Sequence, residues 1–468
     1  MILIKDCFYI ESPEVTDGGR GWDIAVGGNR IVRIAPQIET DELSDLAGVE
    51  GTDGVVEVID ASRMVVIPGF VNTHHHFYQT LTRALPEAQD AKLFEWLVYH
   101  YEIWKYLDPE AVRASTLLGV GELLKTGCTT TTDHHYLYPR DFTGDIVKIQ
   151  FDAAAALGVR FSPSRGSMSL SKKDGGLPPD TVVQTDREIL EHSEEAIRKF
   201  HDDSELSMRR IVLAPCSPFS VTPELMTETA ALARRFGVRL HTHLAETKDE
   251  DAFCMETFGK RPLALMESCN YVGPDVYFAH GIHFTDDELT VLEETGSGVC
   301  HCPSSNMRLG SGIARVKEMR ERGIPVSLGV DGSASNDSSD YVGEMRNALL
   351  LQRVQYGSDA IGARDILDMA TVSGARTLGY KRVGKVAAGW AADLALFDVH
   401  RFEYAGALED PVAALIFAGY NHGTAYTIVN GHVAVRDGRL TGYDEEALFR
   451  EGNAAAQRLI RKARSDGS

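Results

Sequence analysis

The sequence predicts an α/β fold: a (β/α)8 TIM barrel joined to a small β-sandwich built from both chain ends. Three observations carry this. Eight short β-branched runs that end in polar residues lie between residues 65 and 332, helical patterns separate them, and both ends of the chain read as alternating strands with Gly or Asn-Gly turns. A chain of 468 residues also exceeds the usual single-domain size, so a large core with a smaller second unit is the natural arrangement.

In order, the eight runs are VVIPGFVNTHHH, TGCTTTTDHH, VRFSPSRG, RRIVLAPCS, RLHTHLAE, VYFAHGIH, SGVCHCPSSN and IPVSLGVDG. Between them, DPEAVRASTLLGVGELLKTG, TDREILEHSEEAIRKFH, TPELMTETAALARRFG and TDDELTVLEETG place Thr or Asp before an apolar helical period, and Gly closes three of them. Residues 338–380 complete the last barrel helices. The outer segments WDIAVGGNRIVRIAP, VVEVIDASRM, AADLALFDV and YTIVNGHVAVRDGRL are too short to close a β core at either end alone. The expected division is therefore 65–380 for the barrel and 1–64 with 381–468 for the sandwich. The link from Phe77 to about Asp108 is the longest after a strand, and such loops carry specificity.

Composition excludes several classes. A net charge of −21 disfavours a nucleic-acid partner, which requires clustered Lys and Arg. No run of 18 apolar residues is present, so no membrane-spanning helix is expected. The N-terminus MILIKDCFYIESPEV lacks the basic, apolar and small-residue regions of an export signal. With seven cysteines and no C-x-x-C pair, a reducing, cytoplasmic location is expected.

The triplet His74-His75-His76 stands at the end of the first run. Alternation along a strand puts His74 and His76 on one face and His75 on the other, and in a barrel the C-terminal strand ends carry the chemistry. Two or three further metal ligands come from other strand ends: His243, His280 and Asp331 are the candidates. Any one of them alone would pass for a core or loop histidine, but recurrence on several strand ends points to a catalytic divalent cation, Zn2+ first and Fe2+ as the alternative. Cys216 and Cys302 also fall at strand ends, where a further soft ligand would close the open site, so pocket lining and packing suit them better. His134 and His135 end the second run, and one of them can face the pocket.

The stretches PGFVNTHHH, HLAET, FAHGIH, HCPSSNMRLGSG and GVDGSASND together resemble the amidohydrolase superfamily, in its branch of cytosine-, guanine- and adenosine-type deaminases. The likeness extends through GKVAAGWAADLALFD and so covers nearly the whole chain. It implies one metal ion held by His74, His76, His243 and Asp331, with Glu246 and His280 acting on the substrate. In that scheme Asp331 takes a proton from the attacking water, His280 orients the attacking oxygen, and Glu246 shuttles the proton to a ring nitrogen. The H-x-E and P-C-x-x-C pattern of the base-flipping zinc deaminases is absent.

Within that branch, NTHHHFYQTLTR, LAPCSPFSVTPELM and GVCHCPSSNMRLGSGI most resemble the 8-oxoguanine deaminases, which release ammonia and form uric acid. Guanine, isoxanthopterin and cytosine deaminases and hydroxytriazine aminohydrolases share much of the pattern, and a non-catalytic scaffold is the reading from another class. The implied partner is a small heterocyclic base, and a homo-oligomer is expected. Substrate contacts are assigned to Gln79 for a purine O6/N1-H edge, Trp96 as a wall over the ring, Arg165 toward a substrate carbonyl, and Cys216 as lining.

Overall fold

The fold was obtained as a computed structural model, which describes residues 1–16, 19–40, 56–418, 420 and 422–466. Parts of the expected terminal unit, notably 41–55, lie outside the described residues. Two parallel sheets form the centre. One runs Arg160–Phe161, Cys128–Thr131, Phe70–Asn72; the other runs Val326–Leu328, Gly298–His301, Val276–His280, Arg239–Leu244, Val212–Pro215, Ser164–Ser167, His134–His135. The second and third runs each contribute to both sheets, because Thr132-Asp133 and Ser162-Pro163 interrupt them.

The sheets curl until the first and last strands meet. Thr73 N–H donates to the Leu328 carbonyl and Asp331 N–H to the His74 carbonyl, both at 3.1 Å. This is a TIM-barrel-like arrangement, with the strand ends gathered on one face. The helices between the strands begin where side-chain oxygens meet the free amides of the first turn. Asp108 caps Pro109–Lys125, Thr222 caps Pro223–Phe236, and reciprocal Thr/Glu capping boxes start Asp186–Phe200 and Asp286–Thr295. Gly237 and Gly296, both left-handed, end their helices.

Two mixed sheets lie at the chain ends. One pairs Arg30–Ala35, Trp22–Gly27, Ile2–Cys7 and Glu57–Asp60; the other pairs Tyr9–Ile10, Met64–Pro68, Leu394–Asp398, Tyr426–Val429, His432–Arg436 and Arg439–Leu440. Ile4, Ile24, Val66, Leu394 and Ile428 share one buried cluster, so the period-2 apolar residues of both sheets turn toward each other. The stretch read as part of the β unit also ends in a 22-residue helix, Glu445–Asp466, whose Ala455 and Leu459 join Trp104 and Leu107 in a second cluster.

The first run differs from its reading as one strand. Met64–Pro68 pairs with Leu394–Asp398, whereas Phe70–Asn72 pairs with Cys128–Thr131, so the chain changes sheets at Pro68-Gly69. Proline offers no ladder donor, and a Cβ on Gly69 would lie 2.2 Å from the Thr129 side chain. The crossing point is pinned by a buried ion pair. Arg160 Nε donates to Asp393 Oδ2 at 3.0 Å with both side chains fully buried, and the Asp393 backbone carbonyl accepts from Gly69 N–H at 2.9 Å.

Among the described residues, no helix is long and apolar enough to cross a membrane. Removing one partner of the buried pair leaves an uncompensated charge, so Asp393→Ala is expected to destabilise the fold by about 3 to 5 kcal/mol in chemical denaturation. The exposed pair Lys148–Asp152 is the control, with Asp152→Ala costing less than about 1 kcal/mol. Equal losses would show that the buried pair does not tie the sheets together.

Candidate active site

The candidate side chains arrive from the ends of four strands. His74 and His76 follow Phe70–Asn72, His243 lies within Arg239–Leu244, His280 ends Val276–His280, and Asp331 follows Val326–Leu328. Glu246 sits just beyond the His243 strand. Ala245, His280 and Asp331 adopt φ of +54°, +71° and +64°. Non-glycine residues rarely occupy this region, so three of them at neighbouring strand ends mark places where the chain is bent to turn groups inward.

Backbone carbonyls fix which imidazole nitrogen points at the centre. His76 Nδ1–H donates to the His134 carbonyl at 2.7 Å, and His243 Nδ1–H to the Cys216 carbonyl at 2.6 Å. A carbonyl can only accept, so in the neutral rings both Nε2 atoms carry lone pairs. A relay does the same for His74: His241 Nδ1–H donates to the Tyr277 carbonyl at 2.9 Å, and His241 Nε2 accepts from His74 Nδ1–H at 2.7 Å. His74 Nε2, buried, finds no hydrogen-bond partner in the protein.

These atoms converge. His76 Nε2 and His243 Nε2 stand 3.2 Å apart, and Asp331 Oδ1 is 3.4 Å from His74 Nε2 and 3.3 Å from His76 Nε2. Lone pairs facing one another beside a carboxylate repel unless a cation lies among them. The potential ligand atoms group as His74, His76, His134 and His243, and as His74, His280 and Asp331; imidazoles with a carboxylate beside them are a donor set for Zn2+ or Fe2+, so the residues present fit a divalent cation.

Electrostatics agree. Burial holds the His74 and His243 imidazoles well below their ordinary range, so they stay neutral and available as ligands. Burial alone would raise Asp331, but the His74 and His76 imidazoles facing it hold it well below the usual carboxylate range. Burial, reinforced by the Asp331 charge, pushes Glu246 up to about 8. Its Oε2 lies 3.6 Å from His280 Nε2, which is in turn 3.9 Å from Asp331 Oδ2. His280 Nδ1 meets Asn306 Oδ1 at 2.8 Å.

A narrow cleft opens on this cluster. Gln79, Trp96, Tyr101, Tyr136, Cys216 and Phe219 wall it, with His76, His243, Glu246, His280 and Asp331 at its floor. Gln79 and Trp96 come from the link after His76, which forms the turn Phe77–Thr82 and the helix Leu93–Trp104. Gln79 Oε1 is buried and unpartnered; a Cβ at Gly332 would fall 1.9 Å from it, so glycine there makes its room. Burial pushes the Cys216 thiol up to about 12 and Cys302 well above the thiol range, leaving both protonated and poor ligands.

Arg165 is a correction. It does not line the cleft: its guanidinium is buried over the Tyr138 ring at 4.0 Å and donates to Gln184 Oε1 at 2.7 Å and His192 Nδ1 at 3.1 Å. Alternation in Ser164–Ser167 turns it away from the centre. Of the pair His134 and His135 at the end of the second run, His134 lies in the imidazole cluster. Other neighbours were not among the sequence candidates: His241 lies two residues before His243 and shares its face, a period-2 signal that was available. Tyr101 and Asn306 come from the helices Leu93–Trp104 and Pro303–Arg308, Tyr136 and Phe219 from separate loops, and none carries such a signal.

The Amidohydrolase family model matches residues 65–434. The 8-oxoguanine deaminase of Pseudomonas aeruginosa is 46% identical over 414 residues, covering 88% of this chain and 92% of that protein. Hydroxydechloroatrazine ethylaminohydrolase of Pseudomonas sp. strain ADP is 37% identical, covering 94% and 92%. Among solved structures, atrazine chlorohydrolase from Arthrobacter aurescens TC1 complexed with zinc superposes with a TM-score of 0.90 at 28% identity, covering 97% of this chain and all of that one.

His243→Ala and Asp331→Asn are expected to purify with little bound divalent metal, measured by elemental analysis. Either variant retaining full metal would remove that residue from the ligand set. His241→Phe keeps a ring against Tyr277 but removes the acceptor for His74, and chelator competition should show metal affinity falling about 10- to 100-fold. Unchanged affinity would show that the relay does not orient His74.

Proposed function

The chain belongs to the amidohydrolase family, and from that premise we propose that it is a zinc-dependent hydrolytic deaminase that converts 8-oxoguanine to uric acid and ammonia. The observation that carries the reading is a buried cluster of imidazoles with Asp331 beside His74 and His76, paired with Glu246 and His280 in an aromatic cleft. Identity of 46% to an 8-oxoguanine deaminase, against 37% to an ethylaminohydrolase, supports a purine-type substrate.

Held by His74, His76, His243 and Asp331, a divalent cation supplies the Lewis acidity that makes an attacking hydroxide available near neutral pH. Asp331 Oδ2, the oxygen nearer His280, accepts the proton that the attacking water gives up. With its carboxyl pushed up to about 8, Glu246 carries a proton at neutral pH and delivers it to the ring nitrogen beside the amino-bearing carbon. His280 hydrogen-bonds the attacking oxygen and holds it against that carbon. Return of a proton to the amino group lets ammonia leave, and the ring carbon keeps the water's oxygen as a carbonyl.

Gln79 fits the O6/N1-H edge of the base, because its buried Oε1 has no protein partner and its amide supplies a donor beside it. Trp96 closes the wall over the ring. At the level of the whole chain, we read the two curled parallel sheets as one closed (β/α)8 barrel over 65–380, and the mixed sheets as a β-sandwich of 1–64 with 381–468. The seven cysteines, all buried free thiols, support a cytoplasmic location. A homo-oligomer is the expected assembly.

An ammonia-release screen over 8-oxoguanine, guanine, isoxanthopterin, cytosine, adenine and a hydroxytriazine tests the substrate. The fastest turnover is expected on 8-oxoguanine; alkylamine release from an aminotriazine in its place would assign the other branch of relatives. Glu246→Gln should keep its metal and lose at least ~10² in kcat. An unchanged kcat would return Glu246 to a structural role. Gln79→Ala should lose roughly 5- to 150-fold in kcat/KM on 8-oxoguanine, from about 1 to 3 kcal/mol for an unpaired edge, and much less on a base without a 6-oxo group. Equal losses on both would mean that Gln79 only supports its loop.

A further inference from the structure

We propose that Glu250, which does not touch the cleft, is a positioning residue that aims Glu246 and locks it to His280. The inference rests on the proton-transfer role given to Glu246 above. Glu250 lies in the first turn of the helix Lys248–Phe258 and is fully buried. Its Oε1 accepts the Ala245 N–H and its Oε2 the Glu246 N–H, each at 3.0 Å. One carboxylate thus satisfies two consecutive amides at the point where the chain leaves the His243 strand.

Those amides sit on a strained turn, since Ala245 is left-handed at +54°. The other side of the same peptide is used as well: the Ala245 carbonyl accepts from Ile282 N–H and His283 N–H, both at 2.9 Å, immediately after His280 and Gly281. Gly281 N–H donates to the Leu244 carbonyl at 3.1 Å. Glu246 and His280, on different strands, are therefore held to one peptide whose conformation Glu250 sets. Arg261 braces the outside, reaching Asp251 Oδ2, Glu288 Oε1 and the His283 carbonyl at 2.9 Å each.

Two features separate this from ordinary helix capping. The helix already has its cap, because Thr247 Oγ1 accepts the Glu250 N–H at 3.4 Å, and the Glu250 carboxylate points back past it to the strand end. Two parallel N–H donors also require two acceptors in one side chain. A carboxylate provides them, whereas a glutamine turns its NH2 against one of the amides. The turn then relaxes, and an acid-base group displaced by about 1 Å can lose on the order of 10²-fold in rate.

A double-substitution cycle tests the claim. Glu250→Gln is expected to keep its metal content and melting temperature near the wild type, to lose about 10- to 100-fold in kcat with KM changed by less than about 3-fold, and to show a larger solvent deuterium isotope effect on kcat. In the Glu246→Gln background, assayed at high enzyme concentration, the same substitution should change kcat by less than about 2-fold, because the group that it aims is already gone. Glu250→Asp, with both acceptor oxygens retained on a shorter arm, should fall between the wild type and Glu250→Gln. Equal losses from Glu250→Gln in both backgrounds would overturn the proposal, as would two variants that only melt earlier at unchanged kcat. A wild type inactive on 8-oxoguanine would overturn the substrate reading alone, and the cycle would then use the base that the screen identifies.

Discussion

Two buried imidazole nitrogens, His76 Nε2 and His243 Nε2, face each other at 3.2 Å while the other nitrogen of each ring is taken by a backbone carbonyl, and the rest of the site depends on resolving that contact. Water is largely excluded there, so the repulsion is weakly screened, and the Asp331 carboxylate beside it adds negative charge. A divalent cation turns every one of these unfavourable contacts into a bond. The centre is thus prepared by the protein in advance: carbonyls of residues 134, 216 and, through His241, 277 spend the outer ring nitrogens and leave the inner ones free.

That preparation explains why the strands end as they do. Parallel pairing aligns the strands side by side, so residues just past their ends gather on one face. Regular extended geometry would carry successive side chains alternately in and out of the centre. The left-handed residues Ala245, His280 and Asp331 break the alternation where the groups of the candidate site converge. Each is held by surrounding bonds: Glu250 and the following strand end hold Ala245, Asn306 holds the ring of His280, and the His74 carbonyl holds Asp331 through its amide.

Much of this was legible in the sequence. His74 and His76 share a face by spacing alone, while His243, His280 and Asp331 each close a β-branched run; the resemblance then divided these residues into ligands and acid-base groups. Arg165 was misplaced because a strand-end position does not reveal which face of the strand a residue occupies, and here it turned toward Tyr138. The first run was read as one strand although Pro68-Gly69 transfers it between sheets, an event set by the close approach of Thr129 from a strand some 60 residues away. The aromatic wall was legible only in part: Trp96 sits in a recognisable helix, but Tyr136 and Phe219 reach the cleft by tertiary packing, for which one sequence carries no periodic signal.

The central claim is that three neutral imidazoles and one carboxylate hold the cation while the nearby thiols stay protonated and apart. X-ray absorption at the zinc edge of the purified enzyme reads this directly. The account requires a first shell of nitrogen and oxygen scatterers at about 2.0 to 2.2 Å, with the outer-ring signature of about three imidazoles. A sulfur scatterer at about 2.3 Å, placing Cys216 or Cys302 on the metal, would contradict it.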